Sequence, residues 1–439
     1  MEQPCAIRAN LLDYVDEPTQ GAHSARVLED GVLVVQNGII LERGPQQPLL
    51  ERYRGITIHD YRDHWLLPGF IDAHVHYPQT PMIGAYGEQL LTWLTSYTFP
   101  TEARFAEAEY AERMAEVFLH ELLRNGTTTA VTLCTVYPQS VDALANAALR
   151  HGMRLILGKV MMDRNVPEPL QDSPESSYRD SRGLIERWHG RERLLYAVSP
   201  RFAISSSSEQ LCGAARLLEQ FPSVYLHTHL SENLEEVAWV ERLFPNHASY
   251  TDVYREHGLL TSRSLFAHGV HLGEPELVQL AQAGATLTFC PSANLFLGSG
   301  LFPMARVRNA GVRVALGTDV GAGTSFSLLR TLSDAYKVLQ LQRETLSAHT
   351  GLYWITLGAA RALNLETKLG NLEPGKEADF VLLDPRATPL LALRSESCTR
   401  LDELLFVLMT LGDDRVVRAT YVAGRRVHER PATGSTRPL

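Results

Sequence analysis

The chain has 439 residues, of which 45% are hydrophobic and 21% are charged, and its formal net charge is −9. This is the composition of a globular protein that is large enough for more than one domain. The negative charge balance argues against a nucleic-acid partner, and no apolar run reaches the roughly 18 residues of a membrane span. The N-terminus lacks the pattern of a signal peptide and the five cysteines show no CxxC spacing, so we expect a cytoplasmic protein without disulfides or a cysteine-bound metal.

Both ends of the chain have the pattern of short β-strands. Residues 32–35 and 38–42 flank a Gln-Asn-Gly turn, which is a hairpin signal. Residues 378–384 and 416–422 are apolar runs near the other end, and the second is followed by Ala423-Gly424. We therefore predict that residues 1–65 and 367–439 combine into one small β-sandwich domain.

Residues 66–366 follow a different pattern, in which apolar runs alternate with helical stretches. The runs cover residues 65–74, 127–133, 154–161, 194–199, 224–229, 264–268, 285–290 and 312–317. The predicted helices include residues 102–124, 208–220, 232–242 and 274–283. Eight such units indicate an α/β fold, a TIM-type (β/α)8 barrel, in which functional residues lie at the carboxyl ends of the strands.

The first run leads into the string PGFIDAHVHYPQT, which contains His74 and His76. Side chains on a strand alternate between its faces, so these two imidazoles point to the same side. His229, His268 and Asp319 lie at the ends of other runs, and the barrel would bring all five to one mouth. Imidazoles with one carboxylate suit Zn²⁺ and also fit Fe²⁺. Such an ion lowers the pKa of bound water from about 15.7 towards about 7.

Two residues near the predicted ligands need separate interpretation. His227 shares a face with His229 but would lie one layer deeper, and we expect it to be packed and hydrogen-bonded. Glu232 follows His229 by three residues in HTHLSEN, a spacing that can place a carboxylate beside the metal as a proton shuttle. The alternative role for Glu232 is that of a first-turn glutamate that favours the helix dipole.

Three further side chains are candidates for substrate contacts. Arg201 and Phe202 follow the fourth run, where an arginine offers a fork of donors and a phenylalanine offers a stacking face. The alternative is a surface salt bridge and a core ring. Gln79 lies three residues beyond His76, and its amide can pair with a donor and an acceptor of a planar heterocycle. On chemistry alone it is equally a loop glutamine.

Several strings resemble those of known proteins. PGFIDAHVH, HTHLSE, FAHGVH, LGTD and GNLEPGKEADFVLLD resemble the amidohydrolase superfamily over nearly the whole chain. PGFIDAHVHYPQT, LLTWLTSYTFPTEARF, SPRF, GTTTA and GTDVGAGTSFS are more specific, and over about residues 65–330 they resemble the guanine deaminase family. The resemblance implies a TIM-type barrel flanked by a β-sandwich from both termini.

The resemblance also implies a function and assigns residues to it. It implies hydrolytic deamination of free guanine to xanthine and ammonia, in purine catabolism or salvage, by a homodimer that carries one zinc per chain. The implied zinc ligands are His74, His76, His229 and Asp319. The implied catalytic residues are Glu232, Asp319 and His268, the last bonding the water or the transition state. The implied guanine contacts are Gln79, Arg201, Phe202 and His268, with Trp93 near the pocket or in the core.

Three alternatives remain open at this point. Another deaminase of the same branch, acting on a triazine, a pterin or an adenine derivative, would share the metal site. A ring hydrolase of the hydantoinase or dihydroorotase kind would hold two metals bridged by a modified lysine, for which Lys159 is the candidate. A non-catalytic binding protein on the same fold would have lost metal ligands, whereas this chain keeps the full set.

Overall fold

The structure, a computed structural model, describes residues 3–18 and 24–431. Its strands are β1 Cys5–Tyr14, β2 Ala25–Gln36, β3 Ile39–Pro45, β4 Thr57–Pro68, β5 Phe70–His76, β6 Thr127–Leu133, β7 Arg154–Gly158, β8 Val160–Met161, β9 Leu194–Pro200, β10 Tyr225–Leu230, β11 Ser264–His268, β12 Thr286–Phe289, β13 Arg313–Leu316, β14 Phe380–Leu383, β15 Val417–Val422 and β16 Arg425–Glu429.

The helices lie mostly between the strands of the central part. They are α1 Gln46–Arg52, α2 Leu90–Trp93, α3 Phe99–Ala103, α4 Ala108–Arg124, α5 Pro138–His151, α6 Pro174–Trp188, α7 Ser208–Gln220, α8 Leu234–Leu243, α9 Tyr250–Glu256, α10 Glu274–Ala283, α11 Pro291–Phe296, α12 Met304–Asn309, α13 Leu328–Leu341, α14 Ala348–Trp354, α15 Leu357–Ala362, α16 Pro389–Glu396 and α17 Leu401–Leu411. In the part of the chain that the structure describes, no helix is long and apolar enough to cross a membrane.

Strands β5 to β13 form the predicted barrel. Their order is β5-β6-β7-β9-β10-β11-β12-β13, with the short β8 paired to β9, and all neighbours are parallel. Beyond β13, the Asp319 N–H donates to the His74 carbonyl and the His76 N–H donates to the Val320 carbonyl, each at 2.9 Å. These two bonds link the segment after the last strand to the first strand. The prediction of a TIM-type (β/α)8 barrel is therefore confirmed.

The first predicted run, residues 65–74, is divided between two sheets. Strand β4 ends at Pro68 in the terminal sheet, and β5 begins at Phe70 in the barrel. Between them, the Gly69 N–H donates to the Asp379 carbonyl at 2.9 Å. A Cβ atom at Gly69 would lie 2.1 Å from Thr128 Oγ1. The chain thus changes sheets at a residue where there is no room for a side chain.

The two ends of the chain combine, as predicted, in a separate mixed sheet. Its order is β16-β15-β14-β4-β1-β2-β3, with β1 and β4 parallel and the other neighbours antiparallel. The hairpin between β2 and β3 turns at Asn37 and Gly38, whose φ angles of 51° and 79° suit a two-residue turn. The division of the chain at residues 65 and 367 stays a prediction.

Two helical details differ from the sequence interpretation. The predicted helix 102–124 is interrupted, since α3 ends at Ala103 and α4 begins at Ala108. The C-terminal part is not only β-structure, because α16 and α17 lie between β14 and β15. Helix α17 packs on α13 and α14, so its apolar residues are buried against the helical layer of the barrel rather than in the terminal sheet.

Candidate active site

Four of the predicted ligands converge at the carboxyl ends of the barrel strands. His74 and His76 come from β5, His229 from β10, and Asp319 from the loop after β13. The Nε2 atoms of His74 and His76 lie 3.1 Å and 3.3 Å from Asp319 Oδ1. The Nε2 atom of His76 lies 3.2 Å from that of His229. One donor atom of each residue thus lies within 4.8 Å of the others.

The protonation of this cluster fits a divalent metal ion. Burial lowers the pKa of His74 to about 4 and also lowers the pKa values of His76 and His229. Burial alone would raise the pKa of Asp319, but the facing imidazoles of His74 and His76 hold it well below its usual value. Nε2 of His74 is buried and has no hydrogen-bond partner among the described residues. Neutral imidazoles and an ionised carboxylate are the donors that a borderline divalent ion takes.

Outer partners orient the imidazoles of the cluster. The His229 Nδ1–H donates to the Arg201 carbonyl at 2.7 Å, which leaves Nε2 free to face the cluster. His74 Nδ1 pairs with Nε2 of His227 at 2.6 Å. His227 is thus buried and hydrogen-bonded beneath the cluster, as the sequence analysis expected. Partners of this kind fix the ring orientation and the tautomer of a ligating histidine.

Asp72 links the two segments that carry His74, His76 and Asp319, three of the predicted ligands. Its carboxylate accepts from the N–H of His74 at 3.2 Å and from the N–H of Thr318 at 3.0 Å. It is fully buried on β5, and the sequence interpretation did not single it out. The neighbouring Asp319 has a φ of 51°, and His268 has a φ of 75°. Such left-handed conformations cost on the order of 1–3 kcal/mol each and require support from the surrounding structure.

Glu232 and His268 face each other beside the cluster. His268 Nε2 lies 3.4 Å from Glu232 Oε2 and 3.8 Å from Asp319 Oδ2. The His268 Nδ1–H donates to Asn294 Oδ1 at 2.8 Å, so Nε2 keeps its lone pair. Ser299 Oγ donates to Glu232 Oε1 at 3.2 Å. Burial, with the nearby charge of Asp319, raises the pKa of Glu232 to about 8.

Glu232 lies in the loop before α8 and not in its first turn. The predicted helix start at residue 232 is wrong by two residues, because Asn233 is the N-cap of α8. The Asn233 side chain accepts from the Glu235 N–H at 2.9 Å. Glu236 reaches back to the N–H groups of Glu232 and Asn233, at 2.7 Å and 3.1 Å, in a capping box. The helix start is satisfied without the Glu232 carboxylate, which therefore remains available to the cleft.

The predicted substrate contacts line one cleft together with this centre. Nine of the ten predicted site residues form its wall: His76, Gln79, Trp93, Arg201, Phe202, His229, Glu232, His268 and Asp319. The tenth, His74, is fully buried beneath them. Trp93 lies at the end of α2, and its Nε1 is buried without a hydrogen-bond partner in the described ranges. Trp93 thus lies in the cleft wall and also packs in the hydrophobic core, and its contact with a substrate stays a prediction.

The sequence interpretation missed the residue that holds Arg201 and Gln79. Glu102, on α3, is fully buried. Arg201 Nη1 donates to both of its carboxylate oxygens, at 2.9 Å and 2.8 Å, and Gln79 Nε2 donates to Oε1 at 3.3 Å. Arg201 therefore forms a buried ion pair and not a surface salt bridge. The sequence signal that could have found Glu102 is its position within the string LLTWLTSYTFPTEARF. The sequence analysis interpreted Glu102 only as the start of a helix.

Asn294 and Ser299, the partners of His268 and Glu232, were also missed. Asn294 lies in α11, which begins directly after β12 at the mouth of the barrel. Its place just beyond a strand end was the signal that could have found it. Ser299 follows α11 in a loop and carries no comparable signal.

Lys159 does not take the position of a bridging ligand. It is buried between β7 and β8, and its Nζ donates to Asp172 Oδ2 and to the Val160 carbonyl. Its partner Asp172 belongs to no potential metal group in residues 3–18 and 24–431. A second potential group, Cys290 with His268 and Asp319, shares Asp319 with the first and belongs to the same centre. The geometry thus offers no support for the binuclear alternative.

A barrel that gathers such donors at its strand ends has the arrangement of a metal-dependent hydrolase. Residues 65–427 match the family model of the amidohydrolase family. The guanine deaminase of Escherichia coli (strain K12) is 51% identical over 429 residues, which cover 97% of this chain and 98% of the relative. The chain belongs to the amidohydrolase family and, within it, to the guanine deaminase group.

Solved structures agree with this assignment. The E. coli guanine deaminase structure matches with a TM-score of 0.95 and 50% identity, over 97% of this chain and 99% of that chain. The structure of guanine deaminase from C. acetobutylicum with bound guanine in the active site matches with a TM-score of 0.88 and 29% identity. That match covers 97% of this chain and 100% of the other.

Proposed function

We propose that this protein catalyses the hydrolytic deamination of guanine to xanthine and ammonia. The observation that carries the proposal is one cleft in which a cluster of three histidines and an aspartate lies beside an acidic group, Glu232, and faces Arg201 and Gln79. The guanine deaminase of E. coli, with its full-length similarity, supports the same activity. The guanine bound in the C. acetobutylicum enzyme supports the choice of substrate.

We further propose that the cluster holds one divalent ion per chain, Zn²⁺, with Fe²⁺ as the other ion that fits its donors. The proposed ligands are His74, His76, His229 and Asp319. When bound, an ion of this kind lowers the pKa of water and makes hydroxide available at neutral pH.

The remaining chemistry falls to side chains of the cleft. Asp319 accepts a proton from the attacking water, and His268 Nε2 accepts a hydrogen bond that orients the same water. Glu232, whose raised pKa keeps it in the acid form near neutral pH, delivers a proton to the ring nitrogen beside C2. The water oxygen then adds to C2. Asp319 passes the proton from the water to the exocyclic amine, the bond between C2 and that nitrogen breaks, and ammonia leaves. The hydroxyl proton that remains at C2 returns to Glu232, and xanthine remains.

The other side of the cleft orients the base. Arg201 and Gln79 bind the polar edge of guanine that is remote from its 2-amino group, so that C2 and not C6 faces the cluster. Phe202 and Trp93 supply the aromatic faces that a planar base stacks on. These assignments of Gln79, Arg201, Phe202 and Trp93 are proposals that follow from their positions around the cleft.

The direct experiment is an ammonia-release assay of the purified protein on a panel of bases, with metal content measured on the same sample. We expect release from guanine, about one zinc or iron per chain, and little release from adenine, a pterin or a triazine. Release from one of those compounds but not from guanine would contradict the proposed substrate. About two metals per chain would contradict the single-ion centre.

We also propose that the protein acts as a homodimer in the cytoplasm, in guanine catabolism or salvage. The family resemblance supports the dimer, and the five scattered cysteines, which show no CxxC spacing, fit a reducing compartment. Light scattering on the purified protein tests the first of these, and a monomer at micromolar concentration would contradict it.

A further inference from the structure

A buried carboxylate holds the two polar side chains of the cleft at the same time. Glu102 accepts two hydrogen bonds from Arg201 and one from Gln79, at distances between 2.8 Å and 3.3 Å. Phe99, on the same helix α3, lies under the guanidinium, with 5.7 Å between Arg201 Cζ and the ring centroid. The guanidinium is therefore oriented by a charge and a ring from one short helix.

This arrangement decides which hydrogen-bonding groups remain for a ligand. Arg201 uses Nη1 for Glu102, while its Nε and Nη2 have no partner in the described part of the chain. Gln79 Oε1 accepts from the Gly321 N–H at 3.0 Å, and its Nε2 has one proton towards Glu102 and one left. The groups left for a ligand on this wall are thus mainly donors.

The direction of the Gln79 amide depends on Glu102. A carboxylate only accepts hydrogen bonds, so it requires the amide nitrogen of Gln79 on its side. This places Oε1 towards the Gly321 N–H, where it is already paired. A glutamine at position 102 has only one oxygen, so its NH₂ group would face a donor, either Nη1 of Arg201 or Nε2 of Gln79, and the two side chains would no longer be held in one orientation.

We propose that Glu102 is a positioning residue that directs the donors of Arg201 and Gln79 towards the ligand and thereby selects purines with a 6-oxo group over purines with a 6-amino group. The inference rests on the proposed function. The edge of guanine carries two acceptors, O6 and N7, and one arginine can bind both with its Nε and Nη2 edge. Adenine carries an amino donor in place of O6, which would face donors and leave them unpaired.

The first test compares the kinetics of wild type and Glu102→Gln with guanine. We expect the variant to raise KM about ten- to a hundredfold, because hydrogen bonds to charged groups are lost or misdirected. The effect on kcat is expected to be smaller than that on KM, since Glu102 does not line the cleft or contact the metal cluster. A variant whose kcat falls while its KM stays unchanged would overturn the inference.

The second test measures binding of hypoxanthine and adenine to the metal-loaded protein by calorimetry. Neither base has a 2-amino group to release, so binding is observed without turnover. Wild type is expected to prefer hypoxanthine at least about tenfold, and Glu102→Gln to lose most of this preference, because the donor edge of Arg201 is then no longer held in one direction. An unchanged preference in the variant would overturn the inference, even if KM had risen.

A matched control variant is Glu377→Gln. Like Glu102, Glu377 is a carboxylate that accepts hydrogen bonds from arginine, in this case from Arg154 and Arg193. It lies at the opposite end of the strands from the cleft. We expect its variant to keep the KM and the base preference of wild type. If Glu102→Gln does not fold, Glu102→Asp keeps the charge but shortens the reach, and we expect a partial loss of preference. Wild-type KM and preference in the aspartate variant would also overturn the inference.

These outcomes separate the inference from the proposed function. If wild type releases no ammonia from guanine, the proposed function fails and the kinetic test has no basis. If wild type deaminates guanine and Glu102→Gln behaves like Glu377→Gln, the proposed function stands and only the role of Glu102 fails.

Discussion

Two carboxyl groups in the same cleft differ in protonation because their surroundings differ. Glu232 is buried, and this burial together with the nearby charge of Asp319 raises its pKa to about 8. Asp319 is equally buried, but imidazoles face it from two sides and hold its pKa well below the usual value. A pair with pKa values pushed apart in this way can supply an acid and a base at one pH.

The acid role of Glu232 predicts the effect of its removal. Glu232→Gln keeps the shape of the side chain but cannot transfer a proton, so kcat for guanine should fall by about 10²–10⁴-fold. Steady-state kinetics and metal analysis of the same preparation test this. The metal content should stay at the wild-type level, because Glu232 is not a proposed ligand. A variant with near-normal turnover would refute the assignment.

Arg201 is expected to affect binding more than chemistry. Arg201→Ala removes donors from the cleft and leaves Glu102 buried without its cation, so KM for guanine should rise and the protein should lose about 3–5 kcal/mol of stability. Kinetics and denaturant unfolding measure the two effects. Arg182→Ala is the control, since its pair with Glu186 is exposed and contributes about 0–1 kcal/mol. An unchanged KM would exclude Arg201 as a base anchor.

At the scale of elements, the position of the first barrel strand depends on how the chain leaves the terminal sheet. Strand β4 ends at Pro68, and β5 begins at Phe70 with the two proposed ligands, His74 and His76, at its far end. Gly69 packs so closely on Thr128 that a Cβ would lie 2.1 Å from its Oγ1. The register of β5, and with it the height of the two imidazoles, is set in part by this contact.

Gly69→Ala therefore should be costly. The added methyl group forces the backbone of β5 away from β6, and we expect a loss of about 1–3 kcal/mol in the free energy of unfolding. Denaturant unfolding measures it. Gly183→Ala, in α6, is the matched control, because no atom lies within 4 Å of its added Cβ. That variant should be neutral or more stable by about 0.5–1 kcal/mol, and equal effects at both sites would contradict the packing argument.

At the scale of the whole molecule, the proposed ion would join distant parts of the chain. Its ligands come from β5, from β10 and from the loop after β13, the first and last of which close the barrel. In the unfolded chain these side chains are far apart and cannot hold one ion together. An ion that binds only the folded state stabilises it by mass action.

Removal of the metal should therefore lower both activity and stability. We expect protein treated with a chelator to lose ammonia release and to unfold at a lower temperature, and Zn²⁺ to restore both. At a free ion concentration about 100 times Kd the stabilisation is about 2.7 kcal/mol. His76→Ala should show no such recovery with Zn²⁺ at the same concentration. Full activity in protein shown to be free of metal would contradict the centre.

The sequence by itself determined the barrel and indicated the residues of the proposed ligand set. Alternation on a strand places His74 and His76 on one face, and the strand ends that carry His229, His268 and Asp319 can be recognised from their apolar runs. These are local patterns, so they can be interpreted without coordinates. Gly69 shows where sequence patterns fail to locate a strand boundary. The apolar run 65–74 looks like one strand, although it is divided between two sheets at this glycine.

Only the tertiary structure decided which side chains form hydrogen bonds with the predicted site residues. Glu102 and Arg201 are 99 positions apart along the chain, and nothing in their own neighbourhoods indicates a buried pair. The same holds for Asn294 and His268, which are 26 positions apart. Hydrogen bonds of this kind depend on how elements pack, and a carboxylate at the start of a helix has the same sequence pattern whether it faces water or an arginine.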